Sequence, residues 1–189
     1  MRSRSFPREG AKRISMEKSE TSGFPPIVAP ESRVLVLGSL PSVKSVEKQQ
    51  YYGHPQNVFW RIMGELFGFD RTMPYPDRVA TLRENRVSVW DVLAASVRPG
   101  SMDAAIDEAT ARPNDFNRFF EDQAGLRRVC FNGKAAARLF TKLVAPTIEK
   151  GSNTIEFKTL PSTSPAYASI TFAEKLEQWR VVRDAAESQ

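Results

Sequence analysis

Four short runs of β-type residues, at 33–37, 87–90, 128–131 and 154–160, each stop at a polar loop, and this repeated pattern limits the fold more than any other feature of the chain. The first is a buried strand by its unbroken apolar character (RVLVL), and Gly38 breaks it. Helical patterns separate the runs. After the first, Phe59, Ile62, Met63, Leu66 and Phe67 recur at steps of three and four, with Asn57 placed to cap the helix. Pro74 and Pro76 introduce a helix over 78–85, and Pro113 introduces one over 114–123 with Phe116, Phe119 and Phe120 toward the core. An Ala-rich helix over 134–144 follows the third run, and a closing helix over 171–186 follows the fourth. Strands alternating with helices require right-handed crossovers. The expected fold class is therefore α/β, a three-layer αβα sandwich with a central four-stranded parallel sheet.

In such a sheet the loops that follow the strands emerge at one edge. Ser39, Pro41, Tyr52, His54, Asn57, Asp91, Asn132, Ser162, Ser164 and Tyr167 are thereby expected on a single rim, the place where open α/β sheets bind ligands. The 189 residues, with a 41% apolar fraction, suit one domain over 27–189, preceded by a basic tail over 1–26 expected to be disordered. Residues 1–20 hold six basic and three acidic side chains, so +3 of the formal +5 charge lies there. Any affinity of the folded part for nucleic acid then depends on where its donors sit. Cys130 and His54 are the only residues of their types, which leaves no internal disulfide and no zinc-type ligand set; no metal or cofactor is expected. No apolar run approaches bilayer length and no export signal is visible, so a cytoplasmic, nucleoid-associated monomer is expected, without a membrane. Neither a GxGxxG turn nor a GxxxxGK[ST] loop is present, and no GxSxG elbow accompanies the lone histidine.

Taken together, GSLP (38–41), YYGHPQNVFW (51–60), VWDVL (89–93), FNG (131–133) and LPSTSPAY (160–167) resemble the uracil-DNA glycosylase superfamily, and within it the DNA-deoxyinosine (hypoxanthine-DNA) glycosylase branch. The resemblance spans about residues 32–179. It implies a metal-free hydrolase that acts on double- or single-stranded DNA. Such an enzyme flips a damaged nucleotide into a pocket, hydrolyses the base–sugar bond and leaves an abasic site without cutting the strand. The transition state is oxocarbenium-like, so the site must orient a water on one side and assist the departing base on the other.

In much of that superfamily an Asp or Asn in the first loop positions the water, whereas GSLP offers only Ser39. In the deoxyinosine branch the candidate amide lies downstream in HPxN, here Asn57. Asn57 and Ser39 are thus the catalytic candidates, with a plain helix cap as the other reading of Asn57. Asp91 matches the position that reads the edge of the flipped base, and its alternative is a strand-end cap. Tyr52 and Phe59 are stacking candidates, Phe59 also having core spacing. His54 either contacts the base or orders its loop, and Asn132 either bonds the base or ties neighbouring loops. Ser162, Thr163, Ser164 and Pro165 resemble the loop that grips DNA, with Gly38 and Pro41 opposite. Tyr167 is a wedge or a packing residue, and Arg98, Lys44, Lys48 and Lys134 are candidates for phosphate contacts. Three other readings stay open: uracil or mismatched-base removal, a non-catalytic damage-binding module, and a small-molecule N-ribosyl hydrolase.

Overall fold

A computed structural model describes residues 20–149 and 155–188. Its main sheet has four parallel strands in the spatial order β3-β2-β6-β7, where β2 is Val34–Gly38, β3 Val87–Asp91, β6 Arg128–Asn132 and β7 Glu156–Leu160. Val36 lies between Val89 and Cys130, so the two central strands are enclosed and every residue of β2 is buried. β7 is an edge strand with four exposed residues, which explains its mixed composition; Thr154, expected to begin it, lies outside the described residues.

Helices cover the sheet on both faces, as a three-layer sandwich requires. α2 (Phe59–Phe67) meets α6 (Phe172–Glu187) through Phe59, whose ring stands edge-on to Trp179 at 6.0 Å. A relay of aromatic rings from Trp90 through Phe116 and Phe140 to Phe131 joins α4 (Phe116–Asp122) and the helix after β6 to the strands. That helix is α-helical only as α5 (Lys134–Leu139) and widens to π geometry over Phe140–Val144. α3 (Tyr75–Glu84) starts after Pro74, as the prolines predict, and no helix among the described residues is long and apolar enough to cross a membrane.

Four short elements differ from expectation. The stretch after Asp91 was expected to be loop, yet Leu93–Val97 is strand β4, flanked by β1 (Glu20–Ser22) and β5 (Arg112–Pro113) in a small antiparallel sheet. Order therefore begins by Glu20 instead of near Ile27, since Glu20 pairs with Val97 and Ser22 with Ala95 through backbone bonds that a polar Glu-Thr-Ser triplet does not advertise. The basic residues at 2–18 lie outside the described residues. The loop after β2 also contains a short helix, α1 (Val43–Lys48), capped by the Ser42 hydroxyl, which accepts the Ser45 amide.

Gly133 fixes how the last loop meets the sheet. Its φ of 97° and ψ of 165° lie in a region essentially reserved for glycine, and a Cβ there would stand 2.9 Å from Ser162 Cβ. Gly133→Ala is expected to lower stability by about 1–3 kcal/mol, read as an earlier urea midpoint at unchanged slope. An unshifted midpoint would show that residues 161–164 adjust freely.

Candidate active site

The C-terminal ends of the four parallel strands form one edge, and the side chains there build a narrow recess of about 90 Å3. Its back is set by β2 and β3. Gly38 is the register partner of Asp91, and the carboxylate lies so close over it that a Cβ on Gly38 would stand 2.3 Å from Asp91 Oδ1 and 3.2 Å from the Tyr52 hydroxyl. Tyr52 reaches this position with φ of 54° and stacks on Phe59 with ring centroids 4.0 Å apart. Phe59 is completely buried behind it and does not line the recess, whereas Tyr52 does; the base-contact role considered for Phe59 gives way to backing its neighbour.

Asp91 is 3% exposed and its Oδ2 has no hydrogen-bond partner. Burial pushes its pKa up to about 7, Arg98 opposing and Asp103 adding to the rise. The Tyr52 hydroxyl is buried as well. It lies near Asn132 without meeting hydrogen-bond geometry, and burial followed by the Asp91 charge raises its pKa.

One wall is the loop after β2, held by an arginine from β4's far end. Arg98, buried, donates to the Leu40 carbonyl at 3.2 Å and to the Pro41 carbonyl. Its guanidinium also lies 3.7 Å from Asp103 Oδ1, the atom that accepts the Ser39 hydroxyl at 2.5 Å. Arg98 is therefore a clamp on the first loop and not a phosphate contact, because burial removes it from solvent and from DNA. Asp103 is the site residue that sequence reasoning missed, and Arg98 is the one to which it gave the wrong role. The Arg-Pro-Gly-Ser-Met-Asp stretch after an unrecognised strand carried them, and only the position of β4 shows that it folds back over GSLP.

The opposite wall is 161–164. The Asn132 side chain accepts the Thr163 amide and donates to the Thr163 hydroxyl, both at 2.8 Å, while the Trp179 indole donates to the Pro161 carbonyl at 3.0 Å. Both ends of the Asn132 amide are engaged, so it ties loop to sheet. Thr163 is 1% exposed, which makes it an anchor, and its neighbours Ser162 and Ser164 are the more accessible hydroxyls on this wall. Pro165 and Tyr167 stand outside it, exposed, with Lys175 bonded to the Tyr167 carbonyl at 2.5 Å.

Asn57 lines the recess between the walls, where the Thr163 carbonyl accepts the Val58 amide at 3.1 Å. Asn57 Oδ1 accepts the Phe59 amide at 2.9 Å although α2 begins only after Val58, and Nδ2 makes no hydrogen bond among the described residues. The cap position itself is Val58, so Asn57 does not cap the helix as expected but closes a turn just ahead of it, which leaves the other end of its amide for the recess. His54 faces away from the recess. It accepts the Gln56 amide at 3.2 Å and lines an adjoining depression with Lys48, Arg61, Arg71 and Arg78, which shares Tyr52 and Asn57 with the recess. None of those four cations is ion-paired among the described residues. A larger hollow of about 580 Å3 lies at the other ends of the strands, around Arg33, Arg127 and Asp184, and contains none of these groups.

Comparisons with known proteins agree with this geometry. Residues 25–184 match the family model described as the Uracil DNA glycosylase superfamily. A hypoxanthine DNA glycosylase of Methanosarcina acetivorans is 41% identical over 145 residues, which is 76% of this chain and 86% of the relative. A hypoxanthine DNA glycosylase of Methanosarcina barkeri is 40% identical over 113 residues, 59% of this chain and 70% of that one. A solution NMR structure from Methanosarcina acetivorans, described provisionally as a uracil DNA glycosylase, superposes with a TM-score of 0.74 at 36% identity, covering 90% of this chain and 100% of its own.

The raised pKa of Asp91 has a stability consequence whose sign follows from linkage. A carboxyl moved from 3.8 to about 7 by folding favours the folded state fully below about pH 4, and that contribution is lost as pH rises through 7. Asp91→Asn, which cannot ionise, should match the wild type near pH 4 and exceed it by about 1–4 kcal/mol at pH 8 in chemical denaturation. A difference that does not vary with pH would mean that Asp91 is ionised at no cost.

Proposed function

This chain belongs to the uracil DNA glycosylase superfamily, and on that premise we propose that it excises hypoxanthine from DNA through a water oriented by Asn57. The observation that carries the choice of base is Asp91 Oδ2, a buried acceptor with no partner at the back of the recess. Hypoxanthine presents an N1–H donor there and adenine does not. Above about pH 7, where Asp91 is ionised, it accepts that hydrogen, whereas adenine would leave the carboxylate facing a lone pair, a difference of about 1–3 kcal/mol. The names of the two Methanosarcina relatives support the same base.

The reaction breaks the bond between C1′ and the base nitrogen, and the electron pair leaves with the base. Water adds its oxygen to C1′, and the proton it sheds ends on the freed base. Asn57 orients this water through its free Nδ2 and the second lone pair of Oδ1, since an amide is no strong base and an oxocarbenium carbon needs an aligned nucleophile more than a deprotonated one. Tyr52 stacks on the flipped base with Phe59 preventing its retreat. Ser162 and Ser164, with the exposed Pro165 just beyond them, form the lip that meets the distorted strand, whereas Gly38, Ser39 and Pro41, expected to contact DNA from the other side, are buried and shape the back and far wall of the recess. Phosphates run over the neighbouring depression of Lys48, Arg61, Arg71 and Arg78. We place this activity in a monomer working at the nucleoid without metal or cofactor.

Uracil removal is the second reading, because the N3–H of uracil offers Asp91 a similar donor and the solution structure carries that description. Labelled duplexes containing inosine, uracil, xanthine or a thymine mismatch, incubated with the protein and then treated with alkali, separate the two. Strand scission with inosine but not uracil is expected. Scission with uracil alone reassigns the base, and none with any duplex would point to a damage-binding module.

Asn57→Ala is expected to slow single-turnover excision by on the order of a hundredfold or more while the thermal unfolding profile stays close to wild type. A rate within a few-fold of wild type would take Asn57 out of the mechanism.

A further inference from the structure

We propose that Asp103 is a catalytic residue, its carboxylate facing the sugar of the flipped nucleotide and stabilising the positive charge that develops there as the base departs. This inference rests on the glycosylase reading and assigns a second group to the same site. Asn57 can orient water but carries no charge, so the cationic sugar needs another partner. Two carboxylates line the recess, Asp91 and Asp103. They lie at different depths. Asp91 is 3% exposed beside Gly38 and Tyr52, whereas the Asp103 side chain is 42% exposed on a 3-10 turn, Asp103–Ala105, at the mouth. A flipped nucleotide enters base first and keeps its sugar at the mouth, joined to the backbone phosphates. Base depth thus belongs to Asp91, and sugar depth to Asp103.

The carboxylate is held ready. Oδ1 accepts the Ser39 hydroxyl at 2.5 Å and lies 3.7 Å from Arg98, while Oδ2 makes no hydrogen bond among the described residues and is left for a ligand. Arg98 does not need Asp103 as its main partner, since its close hydrogen bonds go to the carbonyls of Leu40 and Pro41. The field of Asp103 also reaches into the recess, where it contributes to the raised pKa values of Asp91 and Tyr52. A carboxylate at the mouth of a DNA site weakens binding of the polyanionic ground state. A positively charged sugar reverses that sign, which is the differential stabilisation catalysis requires. Asp103 forms no covalent bond and leaves the cycle unchanged: C1′ loses the base with its electron pair, gains the water oxygen, and the shed proton goes to the base.

The test uses the full chain, a single-turnover assay on the inosine duplex, and two uncleavable duplexes carrying either a neutral tetrahydrofuran or a cationic pyrrolidine abasic analogue. Asp103→Asn is expected to lose about 100–1000-fold in rate with duplex affinity unchanged or tighter. The wild type should favour the cationic analogue by about tenfold or more, and the Asn variant should lose that preference. A purely structural role would weaken both analogues together and lower the melting temperature, which would overturn the proposal, as would a rate within threefold of wild type. Asp103→Glu retains the charge and is expected to keep the cationic preference at a reduced rate; loss of the preference in this variant also counts against the inference. A wild type that releases no base from any duplex brings down the glycosylase reading itself, whereas a wild type that releases base while Asp103→Asn keeps pace brings down only the role of Asp103.

Discussion

The approach of the Asp91 carboxylate to the bare Cα of Gly38 is the contact on which the recess depends. It exists because β2 and β3 are parallel and in a register that pairs these two residues at the last step of each strand. A slip of one residue would turn Asp91 to the other face of the sheet and put a side chain where only glycine leaves room. Once the carboxylate is there, Tyr52 can bring its hydroxyl over the same glycine only from a left-handed backbone, and its ring then lies on Phe59. The β-ladder, the tyrosine turn and the start of α2 are thereby set by one close approach, and burial of Asp91 follows from it.

Burial of this kind opposes folding. Asp91 Oδ2, the Tyr52 hydroxyl and Arg98 Nε are all enclosed without partners, and each would be better solvated in the unfolded chain. The surroundings compensate by rigid packing. Two polar clamps reach across the sequence to the loops on either side: Arg98 grips the carbonyls of Leu40 and Pro41, and Asn132 grips Thr163 through both ends of its amide. Neither clamp needs to touch a substrate to matter, because together they fix the width of the recess before any ligand arrives. Unsatisfied groups inside a tightly held frame are the arrangement expected where stability is given up for binding.

That division explains what could be read from the chain alone. The four core strands and most of the helices were legible because burial imposes periodicity. The strands place Ser39 and Asp91 at strand ends, but the roles of Ser39, Asn57 and Asp91 were legible only through motifs that resemble the superfamily, and all three line the recess. The small sheet was not, since Glu20–Ser22 pairs with Leu93–Val97 by backbone bonds alone. The clamps were invisible for a related reason. Arg98 looked like a solvated cation until β4 carried it under the first loop, and nothing local distinguishes Asn132 as a tie from Asn132 as a base contact. Phe59 shows the converse: its helical spacing signalled the core, and its completely buried ring bears that out.

Charge is sorted over a short distance at this edge. The recess holds Asp91 and Asp103, while the depression beside it, sharing Tyr52 and Asn57, holds Lys48, Arg61, Arg71 and Arg78, none of them in an ion pair among the described residues. Arg61 lies over Phe172 at 3.7 Å and Arg78 over Trp60 at 4.6 Å, so two of these cations are oriented by aromatic faces instead of by acidic partners that would cancel them. A nucleotide is divided in the same way, with anionic phosphates on one side and a base with N–H donors on the other. The folded part carries little net positive charge, so attraction for DNA here is a matter of placement. On the proposed reading, phosphates are drawn to the depression and repelled from the recess, and the part of the nucleotide that can enter is the base. The same field that excludes phosphate grows more favourable as the sugar behind that base becomes positive, so selection of the base and stabilisation of the breaking bond follow from one distribution of charge.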